Sequence, residues 1–514
     1  MNQLIVHGHF YQPPRENPWT GEIDDELSAA PYPNWNARIL AECYEANRAV
    51  TLPLESATAS RGHDAHTFVD NYKFLSFDFG PTLLDWLKKA SPGLIDALRE
   101  ADAASKLRLG HGNAIAHGYN HAILPLLSLR NKRTQVRWGL AHFRHVFGRD
   151  SEGFWLPEAA ADDETLNVLA EEGVRFTVLS PGQLFAVRSG ASEVWRKSIM
   201  GADLDVPYRY WTRRNREIAI CFYDGSVAND MAFGTLLDDG DALAKRLYRE
   251  LSGRKQDGAR FFSVATDGES FGHHHRPGAE ALAFALTRLQ SEGIRITNFA
   301  SFLADHPPQF EALIHEPGSW SCAHGVERWR SHCGDTTHGE SGWTQTWRRP
   351  LFDALHLLDD ELSIVFERSN LLRDPWRARD AYIDVLQKGD SARHAFLHEH
   401  AMASADPARV WAILEMQRYA MLMFTSCGWF FDDPARLETR QVLRYAARAL
   451  ELCPAGESAR IKPLFLQHLM PLRSNKHPEM NGAMLFEDVA TSSRTGHASQ
   501  ILYEDMNDKE KSTT

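Results

Sequence analysis

No stretch of the 514-residue chain comes near the roughly 20 consecutive apolar residues that a membrane-spanning helix needs, so no such span is predicted. Residues Met1 to Phe10 lack a basic region followed by an apolar run, the pattern of a secretory leader. The six cysteines, Cys43, Cys221, Cys322, Cys333, Cys427 and Cys453, are scattered and form no CxxC pair. That spacing argues against a disulfide framework and against a cysteine zinc site, and it fits a reducing cytoplasm. A basic surface is also missing. The net charge is −12, and the short cluster Arg213, Arg214, Arg216 reads as a solvated loop, so a nucleic-acid partner is not expected. There is no internal repeat, and no HExxH motif.

What the chain does hold is aromatic: 14 tryptophans, whose faces suit stacking on pyranose rings as well as core packing. The first 300 residues alternate short apolar runs with helical patterns. Strands are predicted at Leu4–His7, Val50–Leu54, Arg108–Gly110, Gly153–Leu156, Val174–Leu179, Ile218–Tyr223, Phe261–Ala265 and Arg295–Asn298. Helical periodicity falls between them, at Asn36–Ala49, Pro81–Lys89 and Arg130–Phe147. Such alternation predicts an α/β fold with a parallel sheet or barrel, whose chemistry gathers at the C-terminal strand ends. Residues 1–308 form the catalytic domain in this reading. Residues 309–350, rich in Trp, Gly and His, complete the site.

From 351 to 472 helices dominate, with Phe352, Leu355, Leu358, Leu362, Val365 and Phe366 on one stripe. Asp374-Pro375, Asp406-Pro407 and Asp433-Pro434 each read as a helix start, because Asp caps free amides and Pro needs no partner at the next position. The polar segment 473–514, with its charged run Asp508–Lys511, is expected to be disordered.

Two carboxylates follow short apolar strands closely: Glu158 in Gly153-Phe-Trp-Leu-Pro-Glu158, and Asp267 in Ala265-Thr-Asp267-Gly-Glu-Ser-Phe-Gly-His. Paired carboxylates across a sugar can cleave a glycosidic bond, one attacking the anomeric carbon and the other handling the proton. Each could instead be an ordinary acid at a helix start. His7 and His9 share one strand face, and His273, His274 and His275 follow Asp267. With a carboxylate these imidazoles could hold zinc, so a metal-dependent polysaccharide deacetylase or mannosidase-like hydrolase stays open, as does a non-catalytic glucan-binding protein. The stretch Gly110–His121 sets His111, His117 and His121 among glycines, and leans toward a polar pocket. Thr425–Asp433 interrupts two helices, with Trp429 and Asp432 expected to be exposed.

Taken in order, these motifs resemble glycoside hydrolase family 57. His7-x-His9, followed after two residues by Gln12-Pro13, is similar to the family's first motif. Ser76-Phe-Asp-Phe-Gly-Pro-Thr-Leu-Leu84 and Ala116–Leu127 resemble further segments. Phe154-Trp155-Leu-Pro-Glu158 matches the third motif and Thr266-Asp267-Gly-Glu-Ser-Phe-Gly-His273 the fourth, while Gly318-Ser-Trp320 looks like the fifth.

The resemblance implies an incomplete seven-stranded (β/α) barrel followed by an α-helical C-terminal domain, with a retaining mechanism and neither cofactor nor catalytic metal. It implies a retaining hydrolase or transglycosylase acting on α-glucans such as amylose, maltooligosaccharides or glycogen. Glu158 would be the nucleophile and Asp267 the acid/base. His7, His9, His121, Trp155, Glu269, His273, Trp320, Trp429 and Asp432 would contact the sugar. Asp267 must then hold a proton near neutrality, raised by low-dielectric surroundings and by Glu158. Glu269 either orients His273 or Asp267 or caps a helix.

Overall fold

The computed structural model describes residues 3–53, 66–190, 192, 194–198, 203–253, 259–337 and 339–495. The chain divides into two compact units. The first gathers Met1–Gln12, Trp35–Gly118 and Phe143–Trp320, and the second gathers Pro13–Asn34, Tyr119–His142 and Ser321–Thr514. Among the described residues no helix is long and apolar enough to cross a membrane.

Strands β1 (Gln3–Phe10), β2 (Val50–Pro53), β3 (His66–Val69), β4 (Ser76–Phe79), β5 (Ala116–His117), β6 (Gly153–Trp155) and β7 (Phe176–Leu179) come first in the chain. They are followed by β8 (Leu184–Ser189), β9 (Arg196–Lys197), β10 (Tyr208–Trp211), β11 (Glu217–Phe222), β12 (Phe261–Asp267), β13 (Arg295–Ile296) and β14 (Phe310–Ile314). One parallel ladder runs β12–β1–β4, and another runs β5–β6–β7–β11. A parallel bridge from Phe77 of β4 to Ala114, just before β5, joins the two ladders in one succession.

Strand β1 is buried along its whole length, as expected of a parallel strand covered on both faces. Its two faces do different things. Phe10 stacks on Phe79 at 4.6 Å and meets Tyr72 edge-on, forming apolar core. His7 and His9 point the other way, in register with Ser76 and Asp78 of β4. Gly268, directly after β12, has no side chain because a Cβ there would sit 2.2 Å from the Phe10 ring.

The structure corrects several expected strands. Arg108–Gly110 is the end of a helix, Pro92–Leu109, closed by Gly110 in the left-handed region at φ 79°. The 3.6-residue period outweighed the local alternation of Leu107 and Leu109. Val50–Pro53 pairs antiparallel with His66–Val69 as a separate ribbon, outside the parallel succession, and the expected last residue, Leu54, lies outside the described residues. Beyond β11 the sheet continues through β10, β14, β8 and β9, where β10 runs antiparallel to β11 and β8 antiparallel to both β14 and β9. Simple strand–helix alternation did not anticipate this extension. The predicted helix Asn36–Ala49 forms as α-turns flanking a π-helical segment, Leu40–Tyr44.

The second unit is helical, with helices at Arg348–Arg368, Pro375–Lys388, Asp390–His400, Pro407–Leu422, Leu437–Leu452 and Ala455–Leu469. Asp374 and Asp406 cap their helices as expected, accepting from first-turn amides. Asp433 does not. Its helix starts at Leu437, and the carboxylate instead accepts from Ala435 N, Ser474 Oγ, Asn475 N and Lys476 N, tying two loops together. A buried polar network holds the helices in register. Arg379 donates to Asn131, Thr134 and Gln417, and Asn131 donates to Asp359.

The expectation of disorder from residue 473 is corrected by a helix, Gly482–Thr495, that buries Leu485, Phe486 and Val489. Composition averaged over the segment hid this apolar stripe. The rest of the expected tail, 496–514, lies outside the described residues. Phe486 meets Phe465 edge-on at 5.2 Å. Phe486→Ala should therefore cost about 3–5 kcal/mol in chemical denaturation, and an unchanged transition would mean the helix is not docked.

Candidate active site

Two strand ends and one turn of the first unit bring the acidic residues together. Strand β12 ends at Asp267, paired in register with His9 of β1. Glu158 follows β6 in a turn where both it and Ala159 adopt left-handed backbone conformations, at φ 57° and 48°. A non-glycine residue in this region costs on the order of 1–3 kcal/mol, so the surroundings must enforce it. They do so at several points. Gln183 donates to the Ala159 carbonyl at 3.0 Å, Ala161 and Gly318 exchange backbone hydrogen bonds, and Trp320 N donates to the Glu158 carbonyl at 2.9 Å. Trp320 Nε1 also donates to Glu158 Oε2 at 3.0 Å, fixing the carboxylate itself.

Beside them stands a buried ionic triad. Asp78, with no solvent exposure, takes His7 Nε2 at 3.0 Å on one oxygen and His9 Nδ1 at 2.8 Å on the other. The second nitrogen of His7 is 3.0 Å from Ser76 Oγ. Burial disfavours charge on His9, but Asp78, Asp267 and Glu269 outweigh it and lift its pKa to about 9. Burial alone would raise Asp78, yet His9 and the two imidazole hydrogen bonds bring it down to about 2. His7 is pushed below its ordinary value by burial, and His117 is pushed by burial down to about 3. The group is thus one imidazolium, one carboxylate and two neutral imidazoles.

The carboxyl of Asp267 is reachable by solvent yet densely surrounded by protein. Burial raises its pKa, Glu158 and Asp78 raise it further, and His9 opposes them, leaving it at about 6. This is the direction expected from the sequence. Glu269 is raised to about 7 by burial and by Asp267, while its Oε1 accepts from Tyr44 OH at 2.6 Å and Tyr11 N at 3.1 Å.

Of the residues expected at the site, His7, His9, Trp155, Glu158, Asp267, Glu269 and Trp320 belong to the first unit. Trp155 is not an open platform: it is fully buried, stacked on His7 at 4.6 Å and on His9 at 5.3 Å, with Trp320 against its edge. It supports the histidines from below. His273 Nδ1 is hydrogen-bonded to the Glu42 carboxylate, so the Glu269 side chain, held by Tyr44, does not orient it. Since both His7 nitrogens are engaged by protein and His273 is held by Glu42, this set does not fit the zinc centre considered from sequence.

His121, Trp429 and Asp432 belong to the second unit. The Nδ1 of His121 lies 2.6 Å from Ser426 Oγ. Trp429 and Asp432 are buried rather than exposed, and the Asp432 carboxylate accepts from Thr337 N and Oγ1. Sequence alone does not mark Asp78, Tyr44 and Tyr11 as site residues. The signal for Asp78 was nonetheless present, since Ser76-x-Asp78 has the same period of two as His7-x-His9 and pairs with it in register.

Residues 6–313 match the family model described as glycosyl hydrolase family 57. Residues 343–502 match a model described as a domain of unknown function, DUF3536. Over 113 residues the chain is 24% identical to alpha-amylase 1 of Dictyoglomus thermophilum, a stretch covering 22% of this chain and 16% of that protein. Among solved structures, an exo-type maltose-forming amylase from Pyrococcus sp. ST04 superposes with a TM-score of 0.68 at 15% identity, covering 96% of this chain and 88% of that one. A branching enzyme from Thermococcus kodakaraensis gives 0.56 at 13% identity, covering 97% and 96%.

The triad makes a testable statement about charge. The raised pKa of His9 contributes stability that is complete below 6.5 and fades as pH climbs through about 9. The lowered pKa of Asp78 contributes stability that is complete above 3.8 and fades as pH falls through about 2. Asp78→Asn should cost about 3–5 kcal/mol near neutrality, less in alkali, and should bring the His9 titration well down in an NMR experiment. A His9 pKa that stays near 9 in this variant would show that Asp78 is not its counter-ion.

Proposed function

The chain belongs to glycosyl hydrolase family 57, and from that premise we propose that it is a retaining glycosidase or transglycosylase acting on α-glucans. The observation that carries the reading is the contrast between the two carboxylates. Glu158 is fixed by the Trp320 indole N–H, whereas Asp267 is lifted to about 6 by burial and by Glu158. A nucleophile needs a fixed, charged oxygen, and a general acid needs a proton near neutral pH. The parallel succession β12–β1–β4–β5–β6–β7–β11 supports an incomplete seven-stranded barrel, with Asp267 at the end of β12 and Glu158 in the turn after β6.

In the first step Glu158 attacks the anomeric carbon as the bond to the leaving oxygen breaks and Asp267 gives that oxygen its proton. A β-linked glycosyl ester on Glu158 results. In the second step Asp267 takes a proton from water or from a sugar hydroxyl, whose oxygen displaces Glu158 and restores the α configuration. His9, as an imidazolium held by Asp78, offsets the negative charge that returns to Asp267 when it gives up its proton. Glu269, anchored by Tyr44 and Tyr11, is itself raised to about 7 by burial and by Asp267, so it is largely protonated where Asp267 titrates and keeps further negative charge out of the site.

Incubation of the full chain with amylose, maltooligosaccharides and glycogen should yield shortened, elongated or branched glucans. Glu158→Gln should abolish them. Asp267→Asn should lower kcat/KM by about 10²–10⁴-fold. In the unaltered enzyme kcat/KM should fall as pH rises through the 6–7 range, because Asp267, at about 6, loses the proton it must donate. Glucan binding without turnover would contradict the reading, and so would an alkaline limb unchanged by Asp267→Asn in a variant that retains activity.

A further inference from the structure

In the second unit, two residues beyond Trp320 in the chain, lies a group of soft ligands that the proposed reaction does not use. Cys322, His324, Cys333 and Asp335 each offer one donor atom, and the four atoms lie within 4.8 Å of one another. The imidazole Nδ1 of His324 is 3.6 Å from an Asp335 oxygen. Zinc–sulfur bonds near 2.3 Å and zinc–nitrogen or –oxygen bonds near 2.0–2.1 Å give tetrahedral edges of about 3.3–3.8 Å, so closing on an ion asks for shifts of about 1 Å at most. Both cysteines are free thiols. The Oδ2 of Asp335 is buried, and the Cys322 and Cys333 thiols lie against this carboxylate. Cys322 is buried, whereas the His324 side chain is 54% exposed, which leaves an ion a way in.

Arg348 is fully buried and Arg328 nearly so, and among the described residues neither forms an ion pair with a carboxylate. The Arg348 guanidinium lies against backbone carbonyls, including that of Asp335 at 3.1 Å, with one nitrogen 3.9 Å from Cys333 Sγ. Asp335 and Asp432 supply negative charge near Arg348, and Asp335 also feels Arg328. Two thiolates and one carboxylate around a divalent ion leave a net charge of −1, the same as two thiols and the Asp335 carboxylate, so an ion can bind without upsetting the balance with those guanidiniums.

We propose that Cys322, His324, Cys333 and Asp335 bind a structural zinc ion that fixes the 322–335 loop. Zinc suits two thiolates with one nitrogen and one oxygen in a closed tetrahedron, and four protein ligands leave no open position for catalysis. Binding releases the two thiol protons to solvent, and the loop, which holds only the single turn Glu327–Trp329 of regular structure, gains a covalent-strength anchor. The sites escape a CxxC search because the ligands come as Cys-x-His and Cys-x-Asp pairs.

The full chain, purified without chelator and dialysed, should carry close to one zinc per molecule by mass spectrometry of the metal, and Glu158→Gln should carry the same. Cys322→Ser and Cys333→Ser should each weaken zinc by more than the roughly 10–100-fold that loss of a supporting residue costs, measured against a chromogenic chelator. Where a variant fails to fold, Asp335→Asn gives a second reading. Cobalt substitution of the wild type should produce thiolate-to-cobalt charge transfer, diminished in that variant. A wild type that takes up neither zinc nor cobalt overturns the proposal, as does a Cys322–Cys333 disulfide in the native protein. Zinc retained after both cysteines are replaced would place the ion elsewhere and would overturn it equally.

Discussion

The buried carboxylate of Asp78, held between His7 and His9, sets the charge state of everything around it. A carboxylate with no exposure to water is costly unless it is paired and hydrogen-bonded, and here two imidazoles saturate it. The pairing makes His9 a cation at neutral pH, against the tendency of burial, and leaves His7 neutral. That single positive charge then faces Asp267 and Glu269, both raised by burial, with Glu158 and Asp78 adding to the rise at Asp267 and Asp267 adding to that at Glu269. Without the imidazolium, the acidic groups would hold their protons still more tightly.

The same economy appears in the backbone. Glu158 stands in a left-handed conformation, followed by a second left-handed residue, because the segment Gly318–Trp320 and the Gln183 side chain hold the turn from outside. One tryptophan does double duty. Its amide secures the Glu158 carbonyl, and its indole N–H secures the carboxylate. Strain and orientation therefore come from the same contact, which is why a side chain distant in sequence belongs to the acidic pair as much as the strand that precedes it.

Much of this was readable from residues alone. His7-x-His9 announced a shared strand face, and Glu158 and Asp267 announced themselves by following short apolar runs. The direction of the Asp267 shift followed from placing two carboxylates in one low-dielectric site. What escaped was relational. Asp78 carries no motif of its own, and its importance comes from the register of β4 against β1, a pairing across some 70 residues. Trp155 looked like a sugar platform and is buried under histidines, because composition cannot say which face of a ring meets protein. Arg108–Gly110 read as a strand until the helix before it set the period, and the Leu485–Phe486–Val489 stripe was diluted by polar neighbours. Cys322-x-His324 and Cys333-x-Asp335 carry no CxxC spacing, whereas a fold needs only proximity to bring them together.

Trapping the covalent intermediate tests the central claim most directly. The full chain would be treated with a fluorinated α-glucosyl fluoride, whose ring fluorine slows breakdown of the ester, and the labelled peptide would be identified by mass spectrometry. The account predicts a single sugar on the peptide that contains Glu158, with no label in Glu158→Gln. A label on Asp267, or turnover with inversion and no trapped ester, would contradict it.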